Sequence, residues 1–295
     1  MTYREAYQAG REQLAAAGIG EAELDARLLL EYVCGTDRNR LLVYGHEPVQ
    51  EDELQRYQEL LARRADRIPL QHLTGVQSFM GLDFLVNEHV LIPRQDTEIL
   101  VEEVLRNLHD GMSVLDLCTG SGCILISLLR YTNDCRGLGA DISPEALKVA
   151  EENAKRLVPE AVMPDAESGK RLIFIESDLY ERVEDKFDII VSNPPYIPTG
   201  VIGTLMPEVR EHEPRLALDG SEDGLIFYRR IINESRAYLK GGGMLFFETG
   251  FDQGAAVREL MERAGFLEVK VSKDYAGLDR VVSGTLSLEP ADGRM

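Results

Sequence analysis

The chain has 295 residues, 44% of them hydrophobic, and a formal net charge of −19 at pH 7. This length and apolar content exclude a disordered polymer and predict two domains, one with a large core and one with a smaller core. The acidic charge repels phosphate backbones and therefore weighs against a nucleic-acid partner.

The four cysteines contain no C-x-x-C pair, so they predict buried thiols in a reducing cytoplasm and no metal site. The sequence has no uninterrupted apolar span long enough for a membrane helix. We therefore expect a soluble cytoplasmic protein without a membrane partner.

Residues 1–74 have the apolar spacing of helices. The residues that recur at helical intervals are Leu24, Leu28, Leu29, Leu54, Tyr57, Leu60 and Leu61. Ile68-Pro69 interrupts the pattern near its end. Acidic residues outnumber basic ones in this segment, so it predicts a small helical bundle and not a basic arm for nucleic acid.

In residues 75–93 apolar residues alternate with polar ones, which is the spacing of β-strands. The apolar positions are Phe79, Leu82, Phe84, Val86, Val90 and Ile92. Gly81 and Asn87-Glu88 are the candidate turns. We expect a β-hairpin that links the two domains.

Residues 94–295 alternate strand-like and helix-like segments, which predicts an α/β fold with a doubly wound, mostly parallel sheet of seven strands. The predicted strands are Ser113–Leu117, Gly137–Asp141, Leu172–Ser177, Phe187–Ser192, Met244–Glu248, Glu268–Ser272 and Val281–Leu286. The predicted helices are Thr97–Leu108, Cys123–Tyr131, Pro144–Leu157, Leu225–Leu239 and Asp252–Ala264.

A glycine-rich turn, Cys118–Gly122, follows the first of these strands and leads into a helix. Its glycines allow close approach of a ligand, and the helix N-terminus offers unpaired N–H groups. The dinucleotide pattern G-x-G-x-x-G fails, because Leu125 stands at its third glycine. Asp141, at the next strand end, is placed to accept both ribose hydroxyls of a nucleoside cofactor, or is a solvated carboxylate or a helix cap. Ser177–Leu179 is placed for adenine contacts, or is an ordinary turn.

The tetrapeptide Asn193–Tyr196 (Asn-Pro-Pro-Tyr) follows the strand Phe187–Ser192. Consecutive prolines fix φ and remove N–H donors, which leaves rigid carbonyls at the strand end. The Asn193 side-chain oxygen and the Pro194 carbonyl can accept from an NH₂ group, and Tyr196 offers a flat apolar face. The sequence therefore predicts a planar nitrogen held with its lone pair toward the sulfonium methyl of S-adenosylmethionine. An ordinary turn remains the alternative for Asn-Pro alone.

These patterns define the candidate site residues. The predicted cofactor-binding residues are Cys118, Thr119, Gly120, Ser121, Gly122, Asp141, Asp178, Leu179 and Asn193. The predicted catalytic residues are Asn193, Pro194 and Tyr196, and the substrate-binding set adds Pro195.

Over nearly its whole length the sequence resembles the HemK-type protein-(glutamine-N5) methyltransferases, which modify class I peptide chain release factors. The matching segments are Leu73–Gly75, Leu91–Glu98, Asp116–Cys123, Asn193–Pro198, Glu213-Pro214, Ala217-Leu218, Asp223–Leu225 and Asp279–Val282. Other methyltransferases share Asn-Pro-Pro-Tyr, but I-P-R-x-D-T-E and D-R-V-V are much more specific. Cys118 replaces the family's usual glycine and so adopts positive φ less readily. Gln95 replaces a usual proline.

The resemblance implies a helical substrate-contact domain (1–74), a linking hairpin (75–93) and a methyltransferase domain (94–295). S-adenosylmethionine is the implied cofactor and S-adenosylhomocysteine the product. Thr119–Gly122 surround the methionine part, and Asp141 binds the ribose. Asn193 and the Pro194 carbonyl bind the amide of the glutamine in the Gly-Gly-Gln loop of a release factor, and Tyr196 stacks on it. We expect a monomer that makes no direct contact with nucleic acid.

Three other functions are open to such a chain. An adenine-N6 methyltransferase would present the same planar NH₂ group to Asn193–Tyr196, but it needs a basic region and must extract the base from its stack. A non-catalytic cofactor-binding protein has little use for an intact Asn-Pro-Pro-Tyr. A porphyrin-related redox role finds no heme-ligand pattern or dinucleotide fingerprint in the sequence.

Overall fold

The computed structural model describes residues 1–162 and 171–287. The chain separates into two units, each with its own interior. The first consists of Met1–Val76 and Met206–His212, and the second of Gln77–Leu205 and the chain from Glu213 onward. Within the described ranges, no helix is long and apolar enough to cross a membrane.

The first unit is a bundle of helices, which confirms the helical pattern of the N-terminal sequence. Its N-terminal helices are α1 (Tyr3–Ala16), α2 (Ala22–Cys34), α3 (Arg38–Val43), α4 (Glu51–Ala65) and α5 (Leu70–Thr74). The Thr2 hydroxyl begins α1 by accepting from the backbone N–H of Glu5 at 3.3 Å. Leu14, Leu29 and Tyr57 lie in the interior, where α1, α2 and α4 pack together.

A buried ion-pair network holds the segment Met206–His212 within this first unit. Arg64 Nε lies 2.7 Å from Asp25 Oδ2, and Arg64 Nη2 lies 3.1 Å from Glu208 Oε1. Arg67, which is more exposed, lies 3.3 Å from the same Glu208 oxygen. Burial raises the pKa of Asp25. Burial acts in the same sense on Glu208, but hydrogen bonds from its own backbone and from Arg64 hold that pKa below its usual range.

The predicted β-hairpin is present and consists of β1 (Val76–Phe79) and β2 (Leu82–Leu85). The two residues between the strands, Met80 and Gly81, both have positive φ, as a two-residue turn of type I′ requires. The edge of β2 is closed by Asn153, whose side chain bonds both the N–H and the carbonyl of Leu85 at 2.7 and 3.0 Å. From Gln77 onward the hairpin belongs to the second unit, and its Phe79 and Phe84 lie in the interior of that unit.

The second unit continues with a central sheet and its flanking helices. In chain order the remaining elements are α6 (Gln95–Leu105), β3 (Ser113–Leu117), α7 (Cys123–Arg130), β4 (Arg136–Asp141), α8 (Pro144–Leu157), α9 (Pro159–Val162), β5 (Leu172–Glu176), β6 (Phe187–Ser192), α10 (Thr199–Ile202), α11 (Pro207–His212, in the first unit), a 3-10 helix (Arg215–Ala217), α12 (Ile226–Tyr238), β7 (Leu239–Glu248), α13 (Gly254–Arg263), β8 (Phe266–Lys273) and β9 (Asp279–Leu286).

The strand order is β5-β4-β3-β6-β7-β9-β8, with β9 antiparallel to both of its neighbours and all other pairs parallel. This confirms the predicted mostly parallel sheet of seven strands. Successive residues of β3 point to opposite faces: Val114 packs in one apolar cluster, while Leu115 and Leu117 pack in another. Both faces of the sheet are therefore covered, as in a doubly wound fold.

The side of β3 on which successive strands are added changes between β5 and β6. From the central β3 the chain moves outward through β4 to β5, and then returns to β6 on the other side of β3. In open α/β sheets the strand ends diverge at such a switch point and leave a crevice for a ligand at the carboxyl edge. The topology therefore places a site at the ends of β3, β4, β5 and β6.

Candidate active site

A cavity of about 210 Å³ lies at this carboxyl edge, within the second unit. Nine of the predicted site residues line it: Cys118, Thr119, Gly120, Ser121, Asp141, Asp178, Leu179, Asn193 and Pro195. Gly122, Pro194 and Tyr196 do not line it. The topology thus brings most of the predicted residues together from four strand ends separated by up to 77 residues of sequence.

The glycine-rich turn after β3 has an unusual backbone. Cys118, Gly120 and Gly122 have φ values of 60°, 55° and 78°. Cys118 thus adopts the left-handed conformation that the family's glycine would adopt more easily. A Cβ at Gly120 would meet nothing within 4 Å, whereas a Cβ at Gly122 would approach Ile126 at 2.9 Å. Gly120 therefore leaves room for a ligand, and Gly122 allows the close packing of α7.

The carboxylate of Asp141 connects two of the turns at this edge. Its Oδ2 accepts from the Gly120 N–H and its Oδ1 from the Ser143 N–H, both at 2.9 Å. The cap of α8 is Ser143, whose hydroxyl accepts from Ala146 N. Burial raises the pKa of Asp141, although these hydrogen bonds oppose the rise. Each carboxylate oxygen keeps a second lone pair, so the side chain can still accept from a ligand hydroxyl.

The turn after β5 is strained and tightly held. Leu179 has φ 53°, which a bulky side chain rarely adopts. The Ser177 hydroxyl donates to the Leu179 carbonyl at 2.9 Å and accepts from Arg182 N at 3.0 Å. A backbone outlier fixed in this way is a common feature of ligand sites. Asp178 pairs with Arg230 of α12 at 3.0 Å.

The charges around the cavity fit a nucleoside that carries a positive group and no phosphate. The Gly120 N–H, which a phosphate would need, already donates to Asp141. Both arginines that line the cavity are paired with carboxylates, Arg94 with Glu213 at 2.6 Å and Arg230 with Asp178. The carboxylate of Asp141, which also lines the cavity, would instead favour a ligand with a sulfonium or an ammonium group. These residues therefore fit S-adenosylmethionine better than a dinucleotide.

The Asn193–Tyr196 tetrapeptide is anchored on both of its sides. The Tyr196 carbonyl accepts from the Gln253 side chain at 2.9 Å. The N–H of the following residue, Ile197, donates to the Leu218 carbonyl at 3.0 Å. Gly224, with φ 73°, lies so close to the same peptide that a Cβ there would stand 2.3 Å from the Tyr196 oxygen. The tetrapeptide is therefore a rigid part of the second unit.

Three residues beside the tetrapeptide were not predicted from the sequence. Asn193 Nδ2 donates to Thr97 Oγ1 at 3.4 Å, and the Tyr196 hydroxyl donates to Glu248 Oε1 at 3.4 Å. Burial raises the pKa of Glu248 to about 7, and the charge of the nearby Arg280 opposes this rise. Thr97 and Arg280 belong to the I-P-R-x-D-T-E and D-R-V-V segments, which are the signal that could have identified them. Glu248 has no signal beyond its place at a strand end.

Helix α12 supplies two further cavity residues that the sequence did not indicate, Phe227 and Arg230. They lie one turn apart on the helix surface, so both face the strand ends. Phe227 adds an apolar ring, and Arg230 fixes the carboxylate of Asp178. A helix that covers a sheet normally carries apolar residues on one face and charged residues on the other, so in the sequence Phe227 resembles a core residue and Arg230 a solvated charge.

Comparisons with known proteins agree with this geometry. A family model described as the PrmC N-terminal domain matches residues 5–75, and a model described as the methyltransferase small domain matches residues 94–206. A solved methyltransferase from Pyrococcus furiosus shares the fold with a TM-score of 0.51 at 19% identity, over 77% of this chain and 99% of that one.

Curated relatives match over almost the entire chain. The release factor glutamine methyltransferase of Geobacter sulfurreducens is 43% identical over 286 residues, which is 97% of each chain. The enzyme of the same name from Caulobacter vibrioides is 42% identical over 287 residues, which is 96% of each. At this identity and coverage, and with the Asn-Pro-Pro-Tyr tetrapeptide beside the cavity, the chain belongs to the family of release factor glutamine methyltransferases.

Proposed function

We propose that this protein transfers a methyl group from S-adenosylmethionine to the side-chain amide nitrogen, N5, of the glutamine in the Gly-Gly-Gln loop of a class I peptide chain release factor. The observation that carries the proposal is the position of Asn193. Its side chain lines the same cavity as Asp141 and begins the anchored Asn-Pro-Pro-Tyr turn. Family membership supports the choice of a glutamine in a release factor.

The proposed acceptor geometry uses two fixed oxygens. The Asn193 Oδ1 and the Pro194 carbonyl accept the two hydrogens of the amide NH₂ group, and the Tyr196 ring lies against the amide plane. The nitrogen lone pair then faces the cavity. When bound, S-adenosylmethionine would supply an electrophilic methyl group to this nitrogen and would leave as S-adenosylhomocysteine, and the nitrogen would release one proton to solvent. Fixing both reactants in this geometry removes much of the entropic part of the barrier.

The proposed cofactor site is divided among the strand ends. Thr119, Gly120 and Ser121 would surround the methionine part, and Asp141 would accept from the ribose hydroxyls. Asp178 and Leu179 would contact the adenine, with the Phe227 ring beside them. Cys118 and Asn193 complete the set between the cofactor and the acceptor.

The proposed partner is the folded release factor, and the helical unit is the second contact surface for so large a substrate. A release factor as substrate would place the enzyme in the cytoplasm, where translation ends. The net charge of −19 disfavours direct binding of nucleic acid. We propose that the protein acts as a monomer.

Two variants should fail in opposite ways if these assignments are correct. Asn193→Ala should lower the transfer rate by about 100-fold or more, because a misplacement of about 1 Å has that cost, while cofactor affinity stays near the parental value. Asp141→Ala should weaken cofactor binding by about 10- to 150-fold, since a charged hydrogen bond contributes about 1.5–3 kcal/mol. Calorimetry with S-adenosylmethionine and a methyl-transfer assay on release factor separate the two effects. Parental turnover by the Asn193→Ala variant would remove this residue from the acceptor site.

A further inference from the structure

Glu248 is a carboxylate in the interior that the proposed transfer step does not use. It ends β7, is 1% exposed and follows Phe247, which pairs with Ser192 of β6. This register places Glu248 at the same sheet edge as Asn193. Burying a carboxylate has a large free-energy cost unless its partners compensate for it. The identity of those partners shows what the carboxylate does.

The groups around Glu248 come from the helices α6 and α12, from strand β9 and from the turn after β6. The Tyr196 hydroxyl donates to its Oε1 at 3.4 Å, and the Tyr228 hydroxyl of α12 donates to its backbone carbonyl at 2.9 Å. Burial raises the pKa of Glu248, and the nearby Thr97 hydroxyl of α6 opposes the rise as a donor, while Glu248 Oε2 has no other hydrogen-bond partner among the described residues. Arg280 of β9 is the nearby cation, and its Nη2 lies 3.0 Å from Asp274 and 3.1 Å from Asp96. Two of these partners, Thr97 and Tyr196, lead to the acceptor site.

The first connection controls which way the Asn193 amide points. A threonine hydroxyl can donate to the amide oxygen or accept from the amide nitrogen, so Thr97 alone does not select an orientation. An ionised carboxylate can only accept a hydrogen bond, so the Thr97 hydroxyl donates to Glu248. The Thr97 oxygen is then left to accept from Asn193 Nδ2, which is the 3.4 Å contact observed. In this arrangement Asn193 Oδ1 is free to accept from the amide of the substrate.

The second connection fixes the Tyr196 ring. Its hydroxyl donates to Glu248 Oε1, and its carbonyl is held by Gln253. With both ends of the residue bonded, the ring plane is set before the substrate arrives. Pre-organisation of this kind reduces the entropy lost when the substrate binds.

We propose that Glu248 is a positioning residue that, as a carboxylate, orients both the Asn193 amide and the Tyr196 ring toward the acceptor nitrogen. The inference rests on the proposed transfer to an amide nitrogen. A protonated Glu248 could itself donate to the Thr97 hydroxyl. Thr97 would then be able to donate to the Asn193 amide as well as to accept from it, so the amide would lose its single orientation.

Glu248 therefore makes the reaction sensitive to pH. Burial raises the pKa of Glu248 to about 7, against the hydrogen bond from Thr97 and the charge of Arg280, while the charge of Asp96 raises it further. The carboxylate is present above this pH and is lost as the pH falls through it. The transfer rate should therefore fall as the pH is lowered, and the midpoint of this acid limb of the pH profile should lie near pH 7.

The test measures kcat against pH with release factor as substrate, together with cofactor affinity by calorimetry. Glu248→Gln should lower kcat at pH 8 by about 10- to 100-fold, because the acceptor nitrogen is no longer held in one position. It should also flatten the limb near pH 7 and leave cofactor affinity within about twofold. Asp188→Asn is the matched control, since it removes a hydrogen-bonded carboxylate at the opposite end of β6. It should keep both the parental rate and the limb.

A second variant keeps the test informative if Glu248→Gln does not fold. Thr97→Val with Tyr196→Phe retains Glu248 but removes both hydroxyls through which it acts. The limb near pH 7 should disappear in this double variant. A limb that persists there, or a Glu248→Gln enzyme with the parental rate and pH profile, would overturn the inference. Parental enzyme that methylates no glutamine in the same assay would instead refute the proposed function.

Discussion

At the residue scale, the site depends on backbone conformations that side chains rarely adopt. Cys118 and Leu179 both have positive φ, and both line the cavity. Left-handed backbone costs a residue with a Cβ about 1–2 kcal/mol. The surrounding hydrogen bonds offset that cost, as the Ser177 hydroxyl does for the turn at Leu179. The strain is therefore part of how the cavity is shaped.

Cys118 allows this strain to be measured. Cys118→Gly and Cys118→Ala both remove the thiol and differ by one methyl group, which at φ 60° strains the backbone of alanine and not that of glycine. Cys118→Gly should have a free energy of unfolding about 1 kcal/mol higher than Cys118→Ala, because alanine at positive φ is strained. Denaturant midpoints of the two variants provide the comparison. Equal midpoints, or a more stable alanine variant, would show that the turn stores no strain at this position.

The residue scale also explains which site residues the sequence could predict. Cys118–Gly122, Asp141 and Asn193–Tyr196 lie at or directly after strand ends and have local patterns, so the sequence could propose them as site residues, and most of them line the cavity. Thr97 and Glu248 are separated by 151 positions in the chain and meet only because α6 and β7 reach the same sheet edge. No local spacing encodes such a contact.

At the scale of elements, most of the alternating segments were predictable because strands in a sheet covered on both faces are continuous apolar runs. The start of β7, however, was predicted wrongly. The strand begins at Leu239, directly after α12, and not at the predicted Met244. The glycines Gly241–Gly243 lie between these two positions and carry no side-chain periodicity. The helices α10 and α11 were also missed, since four or six residues are too few to show a helical period.

Helix α11 depends on buried charges for its place in the first unit. Arg64→Met should lower the free energy of unfolding of that unit by about 3–5 kcal/mol, because it leaves the buried Asp25 and Glu208 without their shared cation. Arg67→Met, the matched control, removes a cation that is 30% exposed and should cost about 1 kcal/mol or less. Denaturant unfolding followed by circular dichroism compares them. Similar losses for both variants would show that the Arg64 network contributes no more than a surface pair.

At the scale of the whole molecule, the two units and their different chemistry fit an enzyme that acts on a protein. The second unit contains the cavity and the Asn-Pro-Pro-Tyr tetrapeptide, and the first is a helical bundle without a basic face evident in its sequence. The net charge of −19 opposes association with nucleic acid, which is what an adenine methyltransferase would need. The fold and the family were predictable from the sequence, because the motif segments extend along nearly the whole chain.

The proposed function depends on the identity of the methyl acceptor, and a labelling experiment with three acceptors distinguishes the alternatives. The enzyme and labelled S-adenosylmethionine are incubated with a class I release factor, with its Gln→Asn variant at the Gly-Gly-Gln loop, and with adenine-containing DNA. Label should appear on the glutamine of the release factor alone, because asparagine holds the same amide one methylene short of the fixed oxygens. Label on the DNA, or equal label on the asparagine variant, would contradict the account.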